Sequence, residues 1–156
     1  MQSQVQCLHG ACHERRARVL HALRWLIGDD AFFQTLRRLV YPDDAAAATT
    51  DGSAVRFAGT NDIIAVAERE SGRELGWFFD VYVFQPVLPA LVSAQIGDQL
   101  TLEWETPGAL PFPLPIEVRI NGQAHRVEMT DGRGAVRIPA GAEVAIDPDD
   151  WVLRAR

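Results

Sequence analysis

Cysteine is scarce in this chain. Of 156 residues only Cys7 and Cys12 carry a thiol, so the protein is not a disulfide scaffold. Positive charge is in deficit as well. The formal net charge is −6, which argues against the basic face that a general nucleic-acid binder presents. No apolar run approaches the length of a bilayer span. The opening stretch MQSQVQCLHGACHERR lacks the apolar core of a signal peptide. These absences together lead to an expected cytoplasmic location, with no nucleic-acid partner and no membrane span.

Catalytic signatures are equally thin. No Gly-rich phosphate loop follows a strand, and no G-x-S-x-G elbow is present. His13-Glu14 begins like the zinc motif H-E-x-x-H, but its second histidine would be residue 17, which is Ala17. His21 is too far along to share a helical turn with His13. Cys7, His9, Cys12 and His13 are residue types that zinc accepts. Their spacing matches no metal pattern, no second ligand pair follows, and the segment reads as a chain terminus. No catalytic, cofactor-binding or metal residue is therefore assigned. Glu103, Glu105 and Glu117 fall on the solvent side of strands. Asp80 is the one charge on an apolar helix, either a buried, partnered carboxylate or that helix's surface point.

What is present is a packed globular composition, 47% hydrophobic, enough for one ordinary domain or two small ones. The chain turns on Leu75 to Pro89. Leu75, Phe78, Phe79 and Tyr82 repeat at helical spacing, while Trp77, Val81 and Phe84 fill a second face. A helix that is apolar nearly all round normally sits inside more protein than this chain supplies. Ser71 and Glu74 have capping-box spacing, Gly72 suits the stop of a preceding helix, and Pro86 and Pro89 end the segment.

Everything before this stretch reads as helix. Arg16 to Ile27 has an apolar stripe of Leu20, Leu23, Leu26 and Ile27, stopped by Gly28. Asp29 or Asp30 caps a second helix through Val40, with Phe32, Phe33, Leu36, Leu39 and Val40 facing its core. The short link makes the two an antiparallel hairpin. Asp43 to Gly59 is a loop in which Ala45 to Ala48 has helical propensity but no anchor. Thr60 or Asn61 caps a third helix, with Ile63, Ile64 and Ala67 inward.

Everything after it reads as strand. A strand near Leu91 to Ile96 turns at Gly97-Asp98 into Leu100, Leu102 and Trp104, which alternate with polar residues. Ile116, Val118 and Ile120 lead to Asn121-Gly122, a strong hairpin signal. That turn sets Val118 opposite His125 on the apolar side and Glu117 opposite Arg126 as a charge pair on the wet side. His125 is thus read as structural. Asp131-Gly132 and Pro139-Ala140-Gly141 flank strands at Val136 to Ile138 and Val144 to Ile146. Short strands between regular turns indicate a sandwich of about six or seven strands.

The order of segments resembles the C-terminal half of the aminopeptidase N-type zinc metallopeptidases, the gluzincin aminopeptidases. That family has a helix opening Tyr-x-Lys-Gly-Ala and a Leu-Leu-Gly-x-x-x-Phe stretch. A Thr-x-x-Asp-Phe helix start, a Leu-x-x-Phe-Phe-x-x-Trp helix, a Gly-x-Pro and a β-sandwich follow. The corresponding places are Arg18-Val19-Leu20, then Leu26-Ile27-Gly28-Asp29-Asp30-Ala31-Phe32, and Thr60-Asn61-Asp62-Ile63. After these come Leu75-Gly76-Trp77-Phe78-Phe79-Asp80-Val81-Tyr82 and Val87-Leu88-Pro89. The departures are specific. The family's catalytic Tyr falls on His13, the Gly of that motif on Arg16, its Trp on Tyr82 and its later Gly on Val87. The zinc ligands and the substrate-amine loop of family members lie N-terminal to the region that matches.

The resemblance implies an α+β fold: helical hairpins from the end of a thermolysin-like catalytic domain over residues 1–86, and an antiparallel Ig-like β-sandwich over 87–156. It implies a non-catalytic C-terminal part of a zinc-dependent aminopeptidase that braces the catalytic domain, with zinc held by the parent and no cofactor in this chain. The implied partner is the N-terminal part of the catalytic domain. In its absence the bare helical face is expected to form a homodimer. The alternative is a free-standing α+β protein-interaction module.

Overall fold

The structure is a computed structural model and describes residues 9–51, 53 and 57–155, with side chains of the first helix described from Glu14 onward. Helices precede antiparallel strands in an α+β arrangement.

Helix α1 (His9–Ile27) begins earlier than its apolar stripe required. It buries Val19, Ala22, Leu23 and Leu26, whereas Leu20 is 41% exposed. Gly28, at φ 85, stops α1 and is also the N-cap of α2 (Asp29–Val40). Neither aspartate caps that helix through its side chain. Asp29 instead takes a forked pair of hydrogen bonds from Arg24 Nε and Nη2, both 2.8 Å. Of the residues expected inward on α2, only Phe32 is fully buried. Phe33, Leu36 and Val40 are exposed, and Thr35 is buried in their place. Its hydroxyl donates to the Ala31 carbonyl at 2.8 Å, which satisfies it within the helix. Asp43 supplies the anchor missed in the loop, accepting from Ala46 N at 2.7 Å to cap α3 (Asp44–Ala48).

Helix α4 (Thr60–Ser71) starts on Gly59, whose N–H donates to Asp62 Oδ2 at 2.7 Å. It ends at Gly72, left-handed at φ 65. The capping box expected from Ser71 and Glu74 does not form. Ser71 Oγ turns back to the Ala67 carbonyl at 2.6 Å. The Leu75 N–H ahead of α5 (Gly76–Tyr82) is taken by Glu68 Oε1 of α4 at 2.8 Å. A carboxylate one helix back thus does the capping, because the chain reverses tightly enough to bring it there.

The strands are β1 (Ala90–Ile96), β2 (Gln99–Glu105), β3 (Ile116–Ile120), β4 (Gln123–Val127), β5 (Arg133–Arg137) and β6 (Val144–Ile146). They form two antiparallel three-stranded sheets, ordered β1-β2-β5 and β4-β3-β6. The β3–β4 register is as the sequence indicates, with Val118 opposite His125 and Glu117 opposite Arg126. Asn121 and Gly122 both have positive φ, 50 and 82, as that hairpin turn requires. The expected ion pair across it is absent. Glu117 bonds Arg119 at 2.9 Å, while Arg126 bonds Glu128 at 3.2 Å and lies 4.4 Å over the Trp25 ring. Arg126 is drawn to the helical layer because an aromatic face there attracts the guanidinium. On β5, Gly134 has no room for a side chain: a Cβ would lie 2.8 Å from the Glu128 carbonyl oxygen.

One apolar core runs through both halves. Trp104 of β2 meets Phe112, whose ring packs on Trp77 at 5.5 Å and on Tyr82 at 5.2 Å. Val81 is fully buried. The second face of α5, expected to lie bare, is therefore covered largely from within the chain by the segment between β2 and β3. Only its end, Phe84, stays open at 54%.

Candidate functional site

Arg15 lines two clefts of the surface. It lies on α1, and its guanidinium donates to the carbonyls of Gln85 (2.8 Å), Pro86 (3.0 Å) and Tyr82 (3.2 Å). A helix leaves its last carbonyls without internal partners and ends with partial negative charge. One planar, five-donor cation satisfies the last carbonyl of α5, that of Tyr82, together with the Gln85 and Pro86 carbonyls just beyond the helix. The segment after α5 is thereby held against α1. A groove of about 750 Å³ opens beside it, between α1, α4 and this segment. Val19, Leu20, Ile63, Phe79, Val83 and Phe84 make its walls apolar, with Arg15 and Arg16 as its charged residues. Among the described residues, no carboxylate, histidine or cysteine lines it. Its chemistry is that of a surface for apolar side chains.

Tyr82 also lines the groove, but its hydroxyl points into the core and donates to the Leu153 carbonyl at 2.7 Å. Burial, with the charge of Asp147 adding to it, holds this phenol far above its ordinary range. It is a neutral structural donor. A second, more polar cleft of about 370 Å³ lies where α1 meets the C-terminal segment, lined by Glu14, Arg15, Arg18, Asp150 and Arg154 among others. Arg18 pairs there with Asp150 at 3.7 Å.

Of the residues weighed for chemistry, those whose side chains are described are not brought together. Cys7 lies outside the described residues, as do the side chains of His9, Cys12 and His13, whose backbone belongs to the start of α1. His21 stacks on Trp151, ring centroids 4.8 Å apart. His125 is half-buried on β4, at a small cleft with Asn121, Gln123 and Arg137. Asp80 is exposed, the surface point of α5. Glu103 and Glu105 face solvent, and Glu117 is half-buried against Arg119. Among the described residues, no group of three His, Cys, Asp or Glu side chains gathers as a metal site would need. No helix among them is long and apolar enough to cross a membrane. Arg15 escaped the sequence reading because the carbonyls it satisfies lie about seventy positions away, and nothing local marks it.

No protein-family model matches the chain, and no curated protein matches it in sequence. Among solved structures it is similar to Legionella pneumophila aminopeptidase A, crystallised in complex with aspartic acid, with a TM-score of 0.58 and 16% identity. The match covers 85% of this chain and only 16% of that one, and at this identity it is a likeness of fold.

Proposed function

We propose that this chain is a non-catalytic C-terminal portion of a zinc-dependent aminopeptidase, supplying the last helices of the catalytic domain and the β-sandwich that braces them. The observation that carries the reading is where apolar surface is left open. Among the described residues, the exposed large hydrophobics of the helical half and its exit include Leu20, Phe33, Leu36, Val40, Tyr41, Val83, Phe84 and Val87, whereas the strands contribute Val92 and Ile96. Apolar patches larger than a few hundred Å² are rare on stable monomers and usually mark surfaces that bind something. In this reading the remainder of the catalytic domain covers the helical face, and that missing part holds the zinc. The fold likeness to an aminopeptidase many times longer supports it, as does the order of motifs quoted above. In isolation the helical face associates with itself.

The test has two arms. Purified, tag-free chain should hold no stoichiometric zinc and cleave no aminoacyl substrate. One tightly held zinc per chain, lost on substituting Cys7, His9, Cys12 or His13, would revive the N-terminal cluster and sink the reading. The genomic DNA upstream of Met1, read in the same frame, should encode H-E-x-x-H. A stop codon and a clean start site there would favour the alternative, a free-standing interaction module.

A further inference from the structure

Strand β1 is an outer strand, paired on one side with β2 and on the other with nothing among the described residues. Its sequence, ALVSAQI, carries no charge over seven residues. The other outer strands are protected in the usual ways: β5 carries Arg133 and Arg137, β4 carries Arg126, and β6 is three residues long. β1 lacks these devices, and its last five residues are exposed, Ile96 to 79%.

The direction of its free hydrogen-bonding groups follows from its partners. The Trp104 N–H donates across β2 to the Gly132 carbonyl, away from β1. Trp104 and the opposing Leu91 are therefore a pair without backbone hydrogen bonds, and such pairs alternate with bonded ones along an antiparallel ladder. The backbone N–H and C=O groups of Leu91, Ser93 and Gln95 consequently point outward to the free edge. Among the described residues, the C-terminal segment makes one backbone hydrogen bond beside that edge, from Ala155 N to the Pro89 carbonyl at 2.8 Å.

We propose that this edge pairs with β1 of a second copy, antiparallel about a two-fold axis at Ser93, joining the two sheets into one. The pattern is self-complementary in that register. Ser93 faces Ser93 and Leu91 faces Gln95, so every outward N–H meets an outward carbonyl. On the outer face Val92 lies beside Ala94, and Ala90 beside Ile96, all apolar, with no like charges in the new ladder. The contact is separate from the helical face and does not rest on the aminopeptidase reading.

Sedimentation of the full chain across a wide concentration range tests it, with helical association suppressed by Val40→Glu and Phe84→Glu. That double variant should still dimerise. Adding Ser93→Pro removes the central outward N–H but no bond to β2, a place where an edge strand tolerates proline. It should weaken the dimer at least about tenfold while far-UV circular dichroism and cooperative melting are kept. Val92→Lys, a charge on the apolar strip, should do the same and stands in if the proline variant fails to fold. A double variant that is monomeric at every concentration, or a dimer that survives the folded β1 variant or variants, overturns the proposal.

Discussion

Asp147 sits buried at the turn after β6, with its own backbone left-handed at φ 50. Its carboxylate accepts from the N–H groups of Trp151 (2.8 Å) and Val152 (3.4 Å). These bonds favour the charged form, yet burial outweighs them and raises the pKa above the ordinary 3.8. The sign of the consequence is the reverse of the usual acid effect. As pH rises from 3.8 toward the folded value, the unfolded chain releases its proton first, so stability falls. Asp147→Asn keeps an oxygen for Trp151 and cannot ionise. Its stability relative to the unsubstituted chain should therefore rise with pH across that window and then level off, as followed by denaturant titrations at a series of pH values. A difference that is constant in pH would mean that Asp147 is no more desolvated in the folded chain than in the unfolded one. Nothing local in the sequence marks Asp147 as buried, because burial of a carboxylate is set by distant segments.

At the scale of elements, α5 and its exit show which signals are local. Its apolar spacing and the stop at Gly72 were legible, since both depend on neighbours within a turn. Its N-terminal partner, Glu68, and its C-terminal partner, Arg15, were not, since each reaches it from another helix. Arg15→Met retains much of the stem's packing but leaves the Tyr82, Gln85 and Pro86 carbonyls without their donor. The cost should be on the order of 1.5–3 kcal/mol, the range for hydrogen bonds involving a charged group, read as a lower melting midpoint. Arg15→Lys should recover part of the loss, because an ammonium cannot reproduce the planar fork. Equal stability of Arg15→Met and the unsubstituted chain would show that solvent serves these carbonyls as well.

For the molecule as a whole, the question is which apolar surface is core and which is open. The sequence groups Trp77, Val81 and Phe84 on one uncovered face. The fold divides them: Phe112 reaches across from the sandwich to Trp77, Val81 is buried, and Phe84 remains outside. Substitution should separate the two roles. Trp77→Glu should destabilise the fold by about 1–3 kcal/mol, because the half-buried ring loses its packing on Phe78 and Phe112. Phe84→Glu should leave the melting temperature nearly unchanged while lowering binding of a hydrophobic dye. If Trp77→Glu melted like the unsubstituted chain, the Phe112 contact would not join the two halves.

By itself the sequence determined the division into a helical half and a strand half, the stops at Gly28 and Gly72, the β3–β4 register and the thinness of the catalytic inventory. Each of these is written in periodicity, turn chemistry or the absence of a residue type, all properties of neighbours along the chain. Only the tertiary structure decided that α2 turns Phe33, Leu36 and Val40 outward, that Arg126 leaves Glu117 for Trp25, that Arg15 closes α5, and that β1 has one edge unpaired among the described residues. An amphipathic pattern shows that a face exists. What covers that face, and which long side chain or sheet edge finds which partner, depends on segments many residues apart being brought together.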